Sequence, residues 1–563
     1  MEIRRQWNRF GFMGVGAGLA LLVGAAASHA VDYHVGPDQA IAKIGDVPWY
    51  RLLPGDTVYI HYQASPYHEK VLISTRGTPT QWIRVLGVKG PNGELPIISG
   101  DNATTSTNMH NRWPQPDLVQ YLGLVQVMAN ADTDILPGYI EIANLQIQDA
   151  YSTYRFTAEN GTALNYDGFA AAIYLRSVQH ILIHDNVLTN CGQAVYDWTG
   201  DGSSGGDTPW DGLSRDLVIR GNYLYNNGNT NSWTEHQTYT ESDGVIIEYN
   251  HYGPQRSGAW GSQLKDRSAG TVIRYNFIEQ SDSGWDMDLV NPQESWDVFG
   301  KLPSYKQAFV YGNIIFNDKV YEPNVIHWNQ DDQEPGDGRA DLSDGRLFFY
   351  DNTILTVANQ SDMSQFDVFN VTWGSYDCPP GSPPGIIDVR NNVFAVLPRT
   401  AGKPIPQLRF GYCGQENFNF GKNWVSPGYT INGATVTGQA NLFSPIDNNP
   451  GFVNAATGDV HLLPTSTARG LGGALAAEVI SNYLGLDLTP TQQYQYHQSV
   501  VPRSASGAGS DVGALDSGSA SLPTLTIQDA SHQEGSSGTA TVTVTIRLSA
   551  PSTSPVTVGY GTR

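Results

Sequence analysis

The chain has 563 residues, with 54 acidic against 32 basic side chains and a net charge of −22. So negative a surface excludes nucleic acid as a partner, because phosphate contacts need a basic face. Charged residues make up only 15% of the chain and aromatics 11%, beside 60 glycines and 32 prolines, a balance that suits an all-β chain with many turns rather than a helical one. The first thirty residues read as a secretory leader: MEIRRQWNRF is basic, GFMGVGAGLALLVGAAA is apolar, and SHA precedes Val31 as a small-x-small cleavage site. Residues 1–30 are therefore expected to be a signal peptide cut after Ala30, and the mature protein to be secreted or held at the cell surface. No other stretch is long enough to span a bilayer.

Pro54-Gly55-Asp56 supplies a turn, and Thr57 to Ile60 a first strand. The run YHVGPDQAIAKIG, LLPGDTVYIHYQASPYHEKVLI and GTPTQWIRVLGVKG resembles the start of many secreted right-handed β-helix proteins. End repeats of a solenoid are atypical because they must close its core.

A short apolar strand ending on asparagine then recurs nine times: YIEIANLQI, ILIHDNVLT, DLVIRGNYL, VIIEYNHYG, TVIRYNFIE, FVYGNIIFN, LFFYDNTIL, IIDVRNNVF and FNFGKNWVS. The asparagines are Asn144, Asn186, Asn222, Asn250, Asn276, Asn313, Asn352, Asn392 and Asn423. Their spacing runs from 26 residues (Asn250 to Asn276) to 42 (Asn144 to Asn186). One unit with variable insertions means stacked coils, each burying its apolar side against its neighbours. Asparagine at a coil corner tolerates the tight turn and bonds the coils on either side. The architecture this predicts is a right-handed parallel β-helix over 31–517. A second strand lies about ten residues before each asparagine strand, as in AAIYLRS, HQTYTES, SQLKDRS and WDMDLV, which predicts two strands per coil.

Toward the C-terminus, GDVHLLPTSTARGLGG and SDVGALDSG resemble the closing run of the same β-helix proteins. Ser504 to Pro523 is rich in Ser, Gly and Ala and reads as a linker. Within 518–563, LTIQDASHQEGSSGTATVTVTIRLSAPSTSPVTVGYGTR resembles the first half of a Calx-beta domain, a partial β-sandwich. That resemblance implies a calcium site to which Glu534 would belong. Three cysteines, Cys191, Cys378 and Cys413, do not make a disulfide framework. Cys378 and Cys413 fall on neighbouring coils, so a bridge between them is open, as are free thiols.

The strands that precede the asparagine strands are unusually polar. Alternate side chains of a strand share a face. With Leu264 inward, Gln263, Lys265 and Arg267 are expected outward. With Trp285, Met287 and Leu289 inward, Asp286 and Asp288 face out. His327, Asn329 and Asp331 follow the same rule, as do Tyr239 and Glu241. Coils stack at about 4.8 Å, so these rows form one patch, extended by Tyr174, Arg176, Tyr196 and Trp198. Aromatic rings beside charged groups on an open groove suit sugar rings, and a polysaccharide is the expected partner of a monomeric protein. The alternative is that these charges are only a solvated face.

Three functions fit the patch. In the first, Lys265 or His327 takes a proton beside a uronate carboxylate, Arg267 neutralises that carboxylate and Tyr239 protonates the leaving oxygen. Asp286, Asp288 and Asp331 would hold a calcium that bridges to substrate. Outward lysine and arginine on a β-helix resemble the alginate lyase and chondroitinase B group in arrangement. In the second, Asp286 or Asp288 pairs with Asp331 or Asp332 to hydrolyse a glycosidic bond; the asparagine-threonine-aspartate and arginine-isoleucine-lysine signatures of polygalacturonases are absent. In the third, the groove binds glycan without chemistry, as an adhesin does.

Overall fold

The computed structural model describes residues 30–107, 120–129, 135–200, 212–293, 295–329, 345–371, 385–495, 499–517, 525–527 and 546–548. Three long parallel sheets of thirteen, eleven and nine strands account for most of them. Each full coil gives one strand to each sheet. One coil supplies Ala269–Arg274, Phe277–Glu279 and Trp285–Val290, and the next Gln307–Tyr311, Ile314–Asn317 and Asn324–Asn329. Corresponding strands pair in parallel. The fold is a parallel β-helix.

The coil thus holds three strands rather than the two predicted. The asparagine does not end the apolar run but bends it. Asn276 separates Ala269–Arg274 in the thirteen-strand sheet from Phe277–Glu279 in the eleven-strand sheet. The residue before the corner takes a left-handed conformation, as at Asp185, Gly221, Tyr249, Tyr275, Gly312, Asp351 and Asn391. Such backbone is costly for most side chains, and the asparagine bonds beside it over-determine the turn.

Those bonds form a continuous ladder. The backbone N–H of Asn186 donates to Oδ1 of Asn222, Asn222 to Asn250, Asn250 to Asn276, and Asn276 to Asn313, each at 2.9–3.0 Å. The series continues through Asn352 and Asn392 to Asn423. Each Nδ2 reaches back to a carbonyl of the preceding coil, such as Ile247 O for Asn276. Asn144 is a correction. It takes the left-handed position itself, and Leu145 occupies the rung, its N–H donating to Asn186 Oδ1.

Inward side chains stack in rows. Ile183, Ile219, Ile247, Ile273, Val310, Phe349 and Val389 are register partners in succession and all fully buried. After the last coils the chain returns along the outside. Val479 and Leu488 bury against Tyr311 and Tyr350, and Tyr350 donates to Leu488 O. The stretch read as linker is packed as far as Ser517: Arg503 and Asp351 pair in the interior, Val512, Ala514 and Leu515 are buried, and Ala514 N–H donates to Thr353. Cys191 is free and buried and Cys413 is disulfide-bonded, while Cys378 lies outside the described residues. Of the Calx-beta-like segment only the antiparallel pair Leu525–Ile527 and Ile546–Leu548 is described; Glu534 and the leader through residue 29 lie outside. Among the described residues no helix is long and apolar enough to cross a membrane.

Candidate functional site

The nine-strand sheet carries the polar strands singled out in the sequence, and its register sets one row of side chains side by side. Tyr174 pairs with Tyr196, Tyr196 with Tyr239, Tyr239 with Lys265, Lys265 with Asp288, and Asp288 with His327. Six successive coils therefore place three tyrosines, then a cation, an anion and an imidazole, on one outward line. Tyr174 stacks on Tyr196 at 5.4 Å, and Tyr196 on Tyr239 at 4.9 Å. In the neighbouring column Arg176 lies over the Trp198 ring at 3.6 Å, a cation–π contact at the N-terminal end of the row.

Asp288 is clasped from both sides. Lys265 Nζ lies 2.9 Å from Oδ2 and His327 Nδ1 2.8 Å from Oδ1. Burial alone would raise this carboxyl, but the Lys265 ammonium and the His327 ring outweigh it and hold Asp288 below the usual carboxylate range. Trp285 stacks on the His327 ring at 4.9 Å. Two partners thus orient that imidazole, with Asp288 on Nδ1 and Nε2 as the other nitrogen.

The row floors a chamber of about 470 Å3. Its cationic side is Lys265 and Arg267, with His236 beside them, and its walls include Trp233, Trp260 and Trp285. Outward does not mean exposed here. Lys265 is 8% and Arg267 2% accessible, with Lys265 held against Asp288 and Arg267 under Asn291. Arg267 Nη1 donates to Asn291 O and lies 5.9 Å from the Tyr239 ring. Glu241 Oε1 accepts from the N–H groups of Gln293 and Ser295. Tyr239 OH reaches Gln293 Oε1 at 3.5 Å.

Two predicted site residues face the other way. Gln263 is fully buried and donates to the carbonyls of Gly253 and Glu279. Asp286 is fully buried and accepts from Ser281 N–H. Strict alternation fails at the corner where the chain enters this sheet. Gln237 and Gln263 turn inward there to satisfy corner carbonyls, with Gln237 donating to Gly253 O as well. Trp285, expected inward, is half-buried and lines the chamber. Of the aspartates expected to hold calcium, Asp286 and Asp288 do not converge: Asp286 is inside the coil and both Asp288 oxygens are engaged, while Asp331, like Asp332, lies outside the described residues. Asn329 pairs with Val290 in the strand.

The sequence reading passed over His236, Trp233 and Trp260. His236 Nδ1 accepts from Ser262 N–H at 2.8 Å. A signal was present: Trp233, Trp260 and Trp285 recur at nearly the spacing of Asn222, Asn250 and Asn276 in the same coils.

Burial pushes the Asp286 carboxyl up to about 8, against the Ser281 N–H and the Lys319 charge. The folded state then holds a proton that the unfolded chain releases near its ordinary value of about 3.9, so this group's contribution to stability falls as pH rises from about 4 to about 8. Asp286→Asn keeps an acceptor for Ser281 and removes the titration. Its melting temperature is expected to gain on the wild type progressively across that window, at about 1.4 kcal/mol per pKa unit as an upper bound. A constant offset between pH 4 and 8 in paired melts would show that Asp286 is not held neutral.

No protein family matches the chain, and no curated protein does. Among solved structures the chain is similar to the pectate lyase Pel9A, at 9% identity over 86% of this chain and 96% of that one, with a TM-score of 0.43. It is also similar to the lacto-N-biosidase from Eubacterium ramulus, at 11% identity over 69% and 68% of the two chains, with a TM-score of 0.36. The DFA-IIIase from Arthrobacter chlorophenolicus A6 aligns at 8% identity over 70% and 90%, with a TM-score of 0.33. Likenesses this distant assign no activity; the fold stands on the strand pairing itself, and the function on the chamber.

Proposed function

We propose that this chain is a secreted carbohydrate-active enzyme that binds a uronate-containing polysaccharide along the groove and cleaves it by β-elimination. The observation that carries the reading is the in-register line Tyr239, Lys265, Asp288 and His327 at the floor of an aromatic-walled chamber. In a chain of net charge −22, Lys265 and Arg267 against the single Asp288 carboxylate leave that floor positive, which selects for an anion.

His327, oriented by Asp288, takes the proton next to the uronate carboxylate. That proton is acidic enough only when positive charge offsets the carboxylate, a role for Lys265 and Arg267. The electron pair of the broken C–H bond forms the new double bond, the glycosidic C–O bond breaks, and the leaving oxygen takes its proton from solvent; Tyr239, three coils from His327 on the same line, is placed to contact a neighbouring sugar rather than the reacting bond. Lys265 fits the base role less well than His327, because its Nζ is engaged by the Asp288 carboxylate 2.9 Å away. The paired-aspartate hydrolysis has less support, since Asp286 points into the coil and Asp288 is kept ionised.

The test is incubation with alginate, pectate and unsulfated chondroitin, reading ultraviolet absorbance of the unsaturated uronate. His327→Ala should lower turnover by about 10²- to 10⁴-fold and leave glycan affinity within a few-fold. New reducing ends without absorbance would replace elimination with hydrolysis, and binding without product would leave a glycan-binding protein. Chelator is expected to leave the rate unchanged, since Lys265 and Arg267 already supply positive charge in the chamber; a rate abolished by chelator and restored by calcium would overturn that assignment.

A further inference from the structure

The groove continues past His327. The next coil sets Asn370 in register with it, and a second chamber of about 670 Å3 shares Trp233 and Trp285 with the first. Its charge is opposite. Asp282, Glu322 and Asp367 line it, and among the described residues no lysine, arginine or histidine does. Asp282 accepts from Tyr321 OH and pairs with Lys319, and Asp367 pairs with Arg409, so both carboxylates are held in place. Asn370 is 4% exposed, lines this chamber, and its side-chain oxygen has no hydrogen-bond partner. Buried acceptors are rarely left so, and this one faces a cavity built to be filled.

A uronate placed here would bring one more carboxylate to a wall of acceptors. A neutral sugar brings hydroxyl and amide protons for Asn370 and the carboxylates, and ring faces for Trp233, Trp285, Tyr321 and Tyr412. Resting on the groove reading above, we infer that the second chamber takes an uncharged, hydroxyl-rich sugar, so that the substrate is a heteropolysaccharide in which a uronate over Lys265 and Arg267 is followed by a neutral unit. Contiguous polyuronates are disfavoured because Asp282 and Asp367 already occupy the nearby cations Lys319 and Arg409 and Glu322 adds like charge, a repulsive element that sets specificity.

The experiment is titration calorimetry on the full chain with two oligosaccharides of equal length: hyaluronan, whose uronate alternates with an N-acetylated neutral sugar, and oligogalacturonate. Hyaluronan is expected to bind about tenfold or more tightly than oligogalacturonate, on the scale of a lost buried hydrogen bond. Asn370→Leu should cut hyaluronan affinity about tenfold and leave oligogalacturonate unchanged. Glu322→Lys, at an exposed position, should raise oligogalacturonate affinity and narrow the gap; it decides the matter if Asn370→Leu does not fold. Equal or tighter binding of oligogalacturonate, no binding of either glycan, or no response to either variant overturns the inference. The two readings separate cleanly. Selective binding without unsaturated product sinks elimination and leaves the chamber assignment standing, whereas rapid elimination on oligogalacturonate does the reverse.

Discussion

Asp288→Ala is expected to cost the fold about 3–5 kcal/mol and to abolish turnover. The carboxylate is buried between Lys265 at 2.9 Å and His327 at 2.8 Å. Removing it leaves the Lys265 ammonium at the floor of the groove without the anion that compensates its desolvation, and breaking a buried pair from one side costs that much. His327 loses the group that fixes its ring, so the base is misplaced as well. Asp288→Asn separates the two effects. The amide can still contact His327 but does not neutralise Lys265, so part of the stability should return while turnover stays low. Denaturant unfolding beside the absorbance assay makes the comparison. An Asp288→Ala protein as stable as wild type within about 0.5 kcal/mol, the scale of an ordinary surface change, would show that the clasp is not formed.

Asn276→Leu is the second large change, and it tests the architecture rather than the chemistry. Asn276 Oδ1 accepts from both the backbone N–H and the side chain of Asn250, and its Nδ2 donates to Ile247 O and to Asn313 Oδ1. Leucine has similar bulk and none of these bonds. Each buried group left unpaired costs about 1–3 kcal/mol, so a loss of about 3–6 kcal/mol is expected in chemical denaturation. Asn144→Leu is the control. Asn144 sits beside the ladder rather than in it, and its replacement should cost only the strain of a left-handed position, about 1–2 kcal/mol. Equal losses at the two sites would mean that the ladder adds nothing beyond the turn.

Much of the solenoid was legible before any coordinates. Asn186 through Asn423 each follow an apolar stretch, and a unit that buries itself only against its own copies must repeat its pattern in every coil. The same logic brought Tyr239, Lys265, Asp288 and His327 into one patch, because register between coils is inherited from the asparagine corner. The third strand was not legible, since an unbroken apolar run such as TVIRYNFIE does not announce that Asn276 bends it onto a new face. Nor was the side of Gln263 and Asp286. Period-two alternation holds within a strand, and both residues lie at the corner where the chain enters one, so the demand of corner polar groups, carbonyls for Gln263 and the Ser281 N–H for Asp286, outweighed the pleat.

The sequence by itself determined the stacked coils and their shared corner, because those follow from repetition between neighbours, and it gathered Tyr239, Lys265, Asp288 and His327 into one broader patch without singling out their row. Only the tertiary structure decided that Lys265 and Arg267 are buried rather than solvated. Arg267 is covered by Asn291 of the following coil, to whose carbonyl it donates, Lys265 is held against Asp288 of that coil, and the groove walls come from Trp233, Trp260 and Trp285 in three different coils. Burial depends on which distant segments fold back over a strand, and no local pattern of residues encodes that.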